Sequence, residues 1–158
     1  MVEPSSRRLV YVDANPIVYA LEGPEVLASA LKQLFSVFRS RPGTAITSEL
    51  TLAEVLPKKK IPDREFLDLL VWGGVFDLHP VTREVLVETA DYRRSAGKQL
   101  SDGRVAIPKL PDAIHAVTAI RAGCSLFLSA DAGVKLPETM ALVKANASGV
   151  ADLTRNLQ

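Results

Sequence analysis

Apolar residues along this chain fall into short runs that alternate with longer stretches of helical spacing. Leu9 to Val12 reads as a strand. Asp13 stands at its tip, and Asn15 and Pro16 turn the chain toward a helix. Pro24 opens a helix at a tolerated first position, and Leu27, Leu31, Leu34, Phe35 and Phe38 form one apolar stripe along it. "RPGT" breaks that helix before a strand at Ala45–Thr47. A helix follows from Ser48 to Leu56 and is expected to stop at Pro57. Pro62 opens the next, with Asp63 and Glu65 in the first turn, where the helix dipole favours acids. Phe66, Leu69 and Leu70 line its inner face, and Gly73-Gly74 end it. "VFDLHP" is a brief strand, and Thr82 caps a helix carrying Val85, Thr89, Tyr92 and Ala96 on one face. "GKQLSDGRVAIPK" reads as a loop. "PDAIHAVTAIRAG" is a helix apolar nearly all round, so it is expected inside. "SLFLSAD" is a strand that again finishes in an acid. Met140–Val143 reads as a last strand, with a short helix in the tail. Strands alternating with helices predict an α/β fold: a central parallel sheet with helices on both faces.

Composition narrows the class. At 158 residues the chain is read as one domain, and at 47% hydrophobic it can bury a sizeable core. Its formal charge of +1 does not mark a nucleic-acid binder in bulk, so the placement of charges must decide. Cys124 is the only cysteine, which removes disulfide frameworks and cysteine-based zinc sites. The N-terminus lacks the uninterrupted apolar core of a signal peptide, and no run reaches membrane-spanning length. A soluble cytoplasmic protein is expected.

The candidate chemistry lies in acids. Parallel α/β sheets place functional sites beyond the carboxyl ends of their strands. Asp13 and Asp131 fall at such ends, and Asp112 opens the buried helix. Glu49 and Glu54 follow the second strand. Five residues separate them, about 140° around a helix, so only one is expected to face the site, and spacing does not say which. A lone acid at a strand end is ordinarily an N-cap or a turn residue. Four acids in the order strand end, helix, helix start, strand end are less ordinary. Clustered carboxylates repel and need a counter-charge, and oxygen-only ligands favour Mg²⁺ or Mn²⁺ over zinc.

In that order the chain resembles the PIN-domain family, and within it the toxin-type, VapC-like ribonucleases. "YVDANPIVYALEG" is similar to the family's opening motif, "ITSELTLAEVL" to its second, and "LPDAIHAVTAIRAGCSLFLSAD" to its third and fourth. The resemblance runs from about residue 9 to about 136. It implies Asp13, Glu54, Asp112 and Asp131 as catalytic metal ligands, with Asn15 and Ser129 orienting ligands or water, and it leaves Glu49 as the surface glutamate. The chain departs from the pattern at Ala14, where the family often has a hydroxyl residue, and after Asp131, where "AGVK" replaces a further acid and an aromatic. The implied activity is a Mg²⁺- or Mn²⁺-dependent endoribonuclease, the toxin of a toxin–antitoxin pair. Its partners would be RNA, a cognate antitoxin protein and a second copy in a homodimer. The helices at Pro24–Phe38 and Pro62–Trp72 carry enough apolar residues to cover the sheet and leave some for a partner. The alternative is a PIN-like module that binds RNA or protein without catalysis.

The remaining candidates have two readings each. Lys58, Lys59 and Lys60 are a solvated loop or contacts to an RNA backbone, and Arg93, Arg94 and Lys98 carry the same choice. His115, three residues after Asp112, shares its helix face and reads as a hydrogen-bonded core histidine ahead of a ligand or acid–base group. His79 reads as structural and Cys124 as a small core residue.

Overall fold

The structure, a computed structural model, describes residues 7–58 and 60–158. Five parallel strands form the central sheet in the order β3-β2-β1-β6-β7. They are β1 (Val10–Val12), β2 (Ala45–Ser48), β3 (Asp77–His79), β6 (Leu126–Ser129) and β7 (Ala141–Lys144). The expected α/β architecture is present. β1 lies at the centre, where both faces are covered, and all three of its residues are buried.

Strand alternation divides the core in two. Val10, Val12 and Leu128 face one way, into a cluster with Ile17 of α1 (Ala14–Glu22). Leu31, Leu34, Phe35 and Phe38 of α2 (Glu25–Ser40) complete that cluster, as the apolar stripe predicts. Tyr11, Ile46 and Phe127 face the other way and meet Ala119 of α6 (Leu110–Arg121). α6 is buried at seven consecutive positions, Ala113 to Ala119. Sheet below and α5 (Arg83–Ser95) alongside leave it no solvated face over that span; Val85, Ile114 and Val117 join the two helices. Thr82 caps α5, its hydroxyl accepting from the Val85 amide at 3.2 Å.

Local differences from the sequence reading have local causes. α3 (Leu50–Val55) does not end the helical path at Pro57: a 3₁₀ turn, Leu56–Lys58, continues it. A proline is tolerated near the start of such a turn, where its missing N–H is not required. α4 (Asp63–Leu67) passes into a π-helical turn, Asp68–Trp72, before Gly73. A Cβ on Gly73 would sit 2.5 Å from the Asp68 carbonyl oxygen, so a side chain cannot follow there. The stretch read as a loop holds a hairpin, β4 (Lys98–Gln99) with β5 (Val105–Ala106), paired antiparallel. All four of its strand residues are exposed, so no buried face marks it in the sequence. The tail is three turns long, α7 (Ala147–Leu157), capped by Asn146 and packed on α2. Among the described residues no helix is long and apolar enough to cross a membrane.

Candidate functional site

Asp13 leaves the sheet at the carboxyl end of β1 and caps α1. Both of its carboxylate oxygens are held. The Ala14 amide donates to Oδ1 at 2.8 Å, and the Ser129 hydroxyl donates to Oδ2 at 2.7 Å. Ser129 in turn accepts from the Asp131 amide at 3.0 Å, which ties the ends of β1 and β6 together. Asn15 adds a second tie, its Oδ1 accepting from the Ala130 amide at 3.1 Å. The Thr47 hydroxyl donates to the Val12 carbonyl at 2.7 Å and meets the Thr51 hydroxyl at 2.9 Å. That pair fixes the start of α3 against the end of β1, and α3 carries Glu54 to the same side.

Asp13, Asn15, Glu54 and Asp112 line one cavity of about 330 Å³. Asp131 is not in its wall; it lines a neighbouring cavity that Asp112 also borders. Asp131 Oδ1 accepts from the Gly133 amide at 2.8 Å, closing a turn, so one of its oxygens is already engaged. Glu49 is exposed at the N-cap of α3 and takes no part in either cavity. Burial, then the charges of Asp13 and Asp131, raise the Asp112 carboxyl above its ordinary pKa; His115 and Lys109 offset this only partly.

His115 is the residue whose place the sequence reading understated. It is a buried, hydrogen-bonded histidine, 1% exposed, as expected. It also reaches the acids: Nε2 lies 2.5 Å from Glu54 Oε2 and 3.7 Å from Asp13 Oδ1. On its other side Nδ1 lies 2.5 Å from the Tyr11 hydroxyl. Burial raises the Tyr11 pKa well above its ordinary value, so the phenol keeps its proton and donates to Nδ1 in the neutral ring. Nε2 then carries the proton offered to Glu54. Burial pushes the His115 pKa down, but the Glu54 hydrogen bond and the charges of Asp13, Glu54 and Asp112 outweigh it, and the net shift is upward. A tyrosine in a central strand was the available signal, because its buried hydroxyl must find a partner.

The donor set suits a hard cation in kind, since it offers carboxylate oxygens around an open cavity. Among the described residues no three His, Cys, Asp or Glu side chains close tightly enough to grip an ion by themselves. Mg²⁺ is ordinarily held by one or two carboxylates with water and phosphate filling the rest, so the set fits that ion.

The other candidates lie apart. Lys59 and the Lys58 side chain fall outside the described residues, and Lys60 is exposed, with its backbone amide on the Glu22 carboxylate. Arg93 donates to the Pro108 carbonyl at 2.9 Å, and Arg94 pairs with Asp91. Cys124 is buried, and burial pushes its thiol up to about 12.

Against known families, residues 10–137 match the PIN domain. No curated protein matches the sequence. Among solved structures, the chain is similar to Mycobacterium tuberculosis VapC20, described as a toxin that cleaves the sarcin-ricin loop. The TM-score is 0.52 at 15% identity, over 75% of this chain and 86% of that one, a likeness of fold.

Proposed function

This chain belongs to the PIN-domain family, and on that premise we propose that it is a Mg²⁺- or Mn²⁺-dependent endoribonuclease, the toxin of a toxin–antitoxin pair. One observation carries the reading. Three acids from three separate elements, Asp13, Glu54 and Asp112, line a single cavity at the carboxyl end of the central strand. Burial first, and then the charges of Asp13 and Asp131, raise the Asp112 carboxyl, as acids gathered at one site should.

Asp13, Glu54 and Asp112 would supply the metal's carboxylate ligands, and Asp131, in the neighbouring cavity that Asp112 also borders, would complete the acidic set. When bound, a metal would supply Lewis acidity for activating water and for offsetting charge on the scissile phosphate. The protein's own part is positional. Ser129 and the Ala14 amide fix the plane of the Asp13 carboxylate, so it cannot swing to a partner elsewhere. His115 holds one oxygen of Glu54, and a carboxylate has a second to give. Asn15 holds the loop after β6, and with it the Asp131 turn, against α1.

The remaining parts of the proposal follow the family. RNA is the substrate, in single-stranded or looped form, because a flexible backbone can enter a narrow acidic cavity where a stiff duplex cannot. An antitoxin protein, a homodimer and a cytoplasmic setting complete it. Val26, Val71 and Trp72 stay exposed on the two helical segments expected to have apolar surface left for a partner.

The test is a labelled single-stranded RNA incubated with the parent and with Asp112→Asn, with and without EDTA. The parent should cut in Mg²⁺ or Mn²⁺ and stop in EDTA, and Asp112→Asn should bind without cutting. Cleavage that survives EDTA, or that Asp112→Asn performs unchanged, overturns the mechanism. RNA bound by the parent but never cut would leave the non-catalytic module instead.

A further inference from the structure

The neighbouring cavity is built differently from the acidic one. It encloses about 210 Å³, below the roughly 300–1,000 Å³ of pockets for drug-sized ligands, so it suits a single ring-sized group. Asp112 and Asp131 form its acidic end, shared with the proposed metal site. The rest of its wall includes Tyr92, Ala106, Ile107 and Val134, and two lysines, Lys98 and Lys135, border it.

Its walls are held in place. The Tyr92 hydroxyl donates to the Lys135 carbonyl at 2.7 Å, which pins a half-buried ring against the segment after β6. Arg93 donates to the Pro108 carbonyl, which pins the segment before α6 to α5. The β4–β5 hairpin supplies the outer wall. Gly97 lets it close down: a Cβ there would lie 2.9 Å from Val105 Cγ1 and 3.5 Å from Ile107 Cγ2.

A bare cation gains nothing from apolar walls, and an aliphatic group gains nothing from the lysines. A flat ring with polar edges, joined to a phosphate, matches all three features. We propose that this cavity seats the base of the unpaired nucleotide next to the phosphate at the acids, with Tyr92 as its aromatic wall and Lys98 and Lys135 meeting the flanking backbone. The proposal rests on reading the acidic cavity as the phosphodiester site. A base in a duplex is not free to turn into such a pocket, so the cavity selects unpaired RNA and sets a base preference beside the cut. Base–aromatic stacking of this kind is worth on the order of tenfold in affinity.

The experiment is a ¹⁵N-NMR titration of the full chain in Mg²⁺ with each of the four nucleoside 5′-monophosphates and with ribose 5-phosphate. At least one nucleotide should bind on the order of tenfold more tightly than ribose 5-phosphate and shift the Tyr92, Ala106 and Val134 amides. Ala106→Trp fills the cavity from an exposed hairpin position, so it should erase the advantage and leave ribose 5-phosphate binding as it was. Tyr92→Phe keeps the ring and should keep most of the advantage; Tyr92→Ala should lose it. Equal binding of all five probes, or an advantage that survives Ala106→Trp, overturns the proposal. The readout needs no cleavage: RNA cut without any base advantage refutes this subsite alone, and a base advantage without cutting refutes the nuclease reading alone.

Discussion

Replacing His115 by Phe is the perturbation that most sharply separates a side chain that orders the acids from one that merely fills space. Phenylalanine keeps a ring of similar size beside Tyr11, where the two rings now meet edge-on at 5.8 Å. It removes both 2.5 Å contacts, to Tyr11 and to Glu54. Tyr11 is fully buried, so its hydroxyl cannot turn to water, and a buried group left without its partner costs about 1–3 kcal/mol. The Glu54 side chain is 25% exposed and can rehydrate in part. That trims the ~1.5–3 kcal/mol of a hydrogen bond to a charged group toward its lower end. The sum is a loss of roughly 3 kcal/mol in unfolding free energy, read by urea denaturation in EDTA. Tyr11→Phe should be less harmful in the His115→Phe background than in the parent, by about 1–2 kcal/mol, because the stranded hydroxyl is then gone. The pH dependence has a definite sign. The folded pKa of His115 is raised, so the stabilisation from its protonated form is complete below the ordinary value of about 6.5 and is lost as pH rises through the raised value. The gap between parent and His115→Phe should therefore narrow with rising pH. A loss under about 0.5 kcal/mol, below the usual cost of a stranded buried group, or additive effects of the two substitutions, would refute the pairing.

Other predictions concern the acids and the core. Asp112→Asn should raise stability at neutral pH by no more than about 1 kcal/mol, since the group is exposed and screened. Because burial and the neighbouring acids raise its folded pKa, that gain should vanish as pH falls below the ordinary carboxylate value near 3.9; a gain that persists in acid would contradict the raised pKa. Asp13→Asn should weaken Mn²⁺ binding at least tenfold by calorimetry, as losing a charged oxygen ligand demands, and equal affinity would remove Asp13 from the site. Cys124 should resist thiol reagents until the protein unfolds, since it is buried with a thiol pushed to about 12; rapid labelling of the folded protein would refute its placement.

The sequence carried the sheet because its signals are strong ones. β1 and β6 are short apolar runs, α6 is apolar nearly all round, and Asp13 and Asp112 stand at element boundaries, one capping α1 and the other in the first turn of α6. Buried strands and buried helices leave that imprint because few polar residues stand on them, and those that do, such as Thr47, His115 and Ser129, are hydrogen-bonded. The hairpin at Lys98–Gln99 and Val105–Ala106 left none, because an exposed two-residue ladder buries no face. The choice between Glu49 and Glu54 was also beyond periodicity, which fixes the angle between them and not the orientation of the helix. In the structure Thr47 of β2 bonds the Val12 carbonyl and meets the Thr51 hydroxyl of α3, and the helix so placed turns Glu54 to the cavity and leaves Glu49 exposed. The Tyr11–His115–Glu54 chain joins residues up to 104 positions apart, a proximity that comes from packing α6 across β1 and not from any local pattern.

The central claim is that these acids hold a hard metal ion, and anomalous scattering from a crystal soaked in Mn²⁺ tests it most directly. The account predicts a peak within about 2.5 Å of carboxylate oxygens from at least two of Asp13, Glu54 and Asp112, absent in crystals of Asp13→Asn. No peak at the acids in the parent, or the same peak in Asp13→Asn, would contradict it.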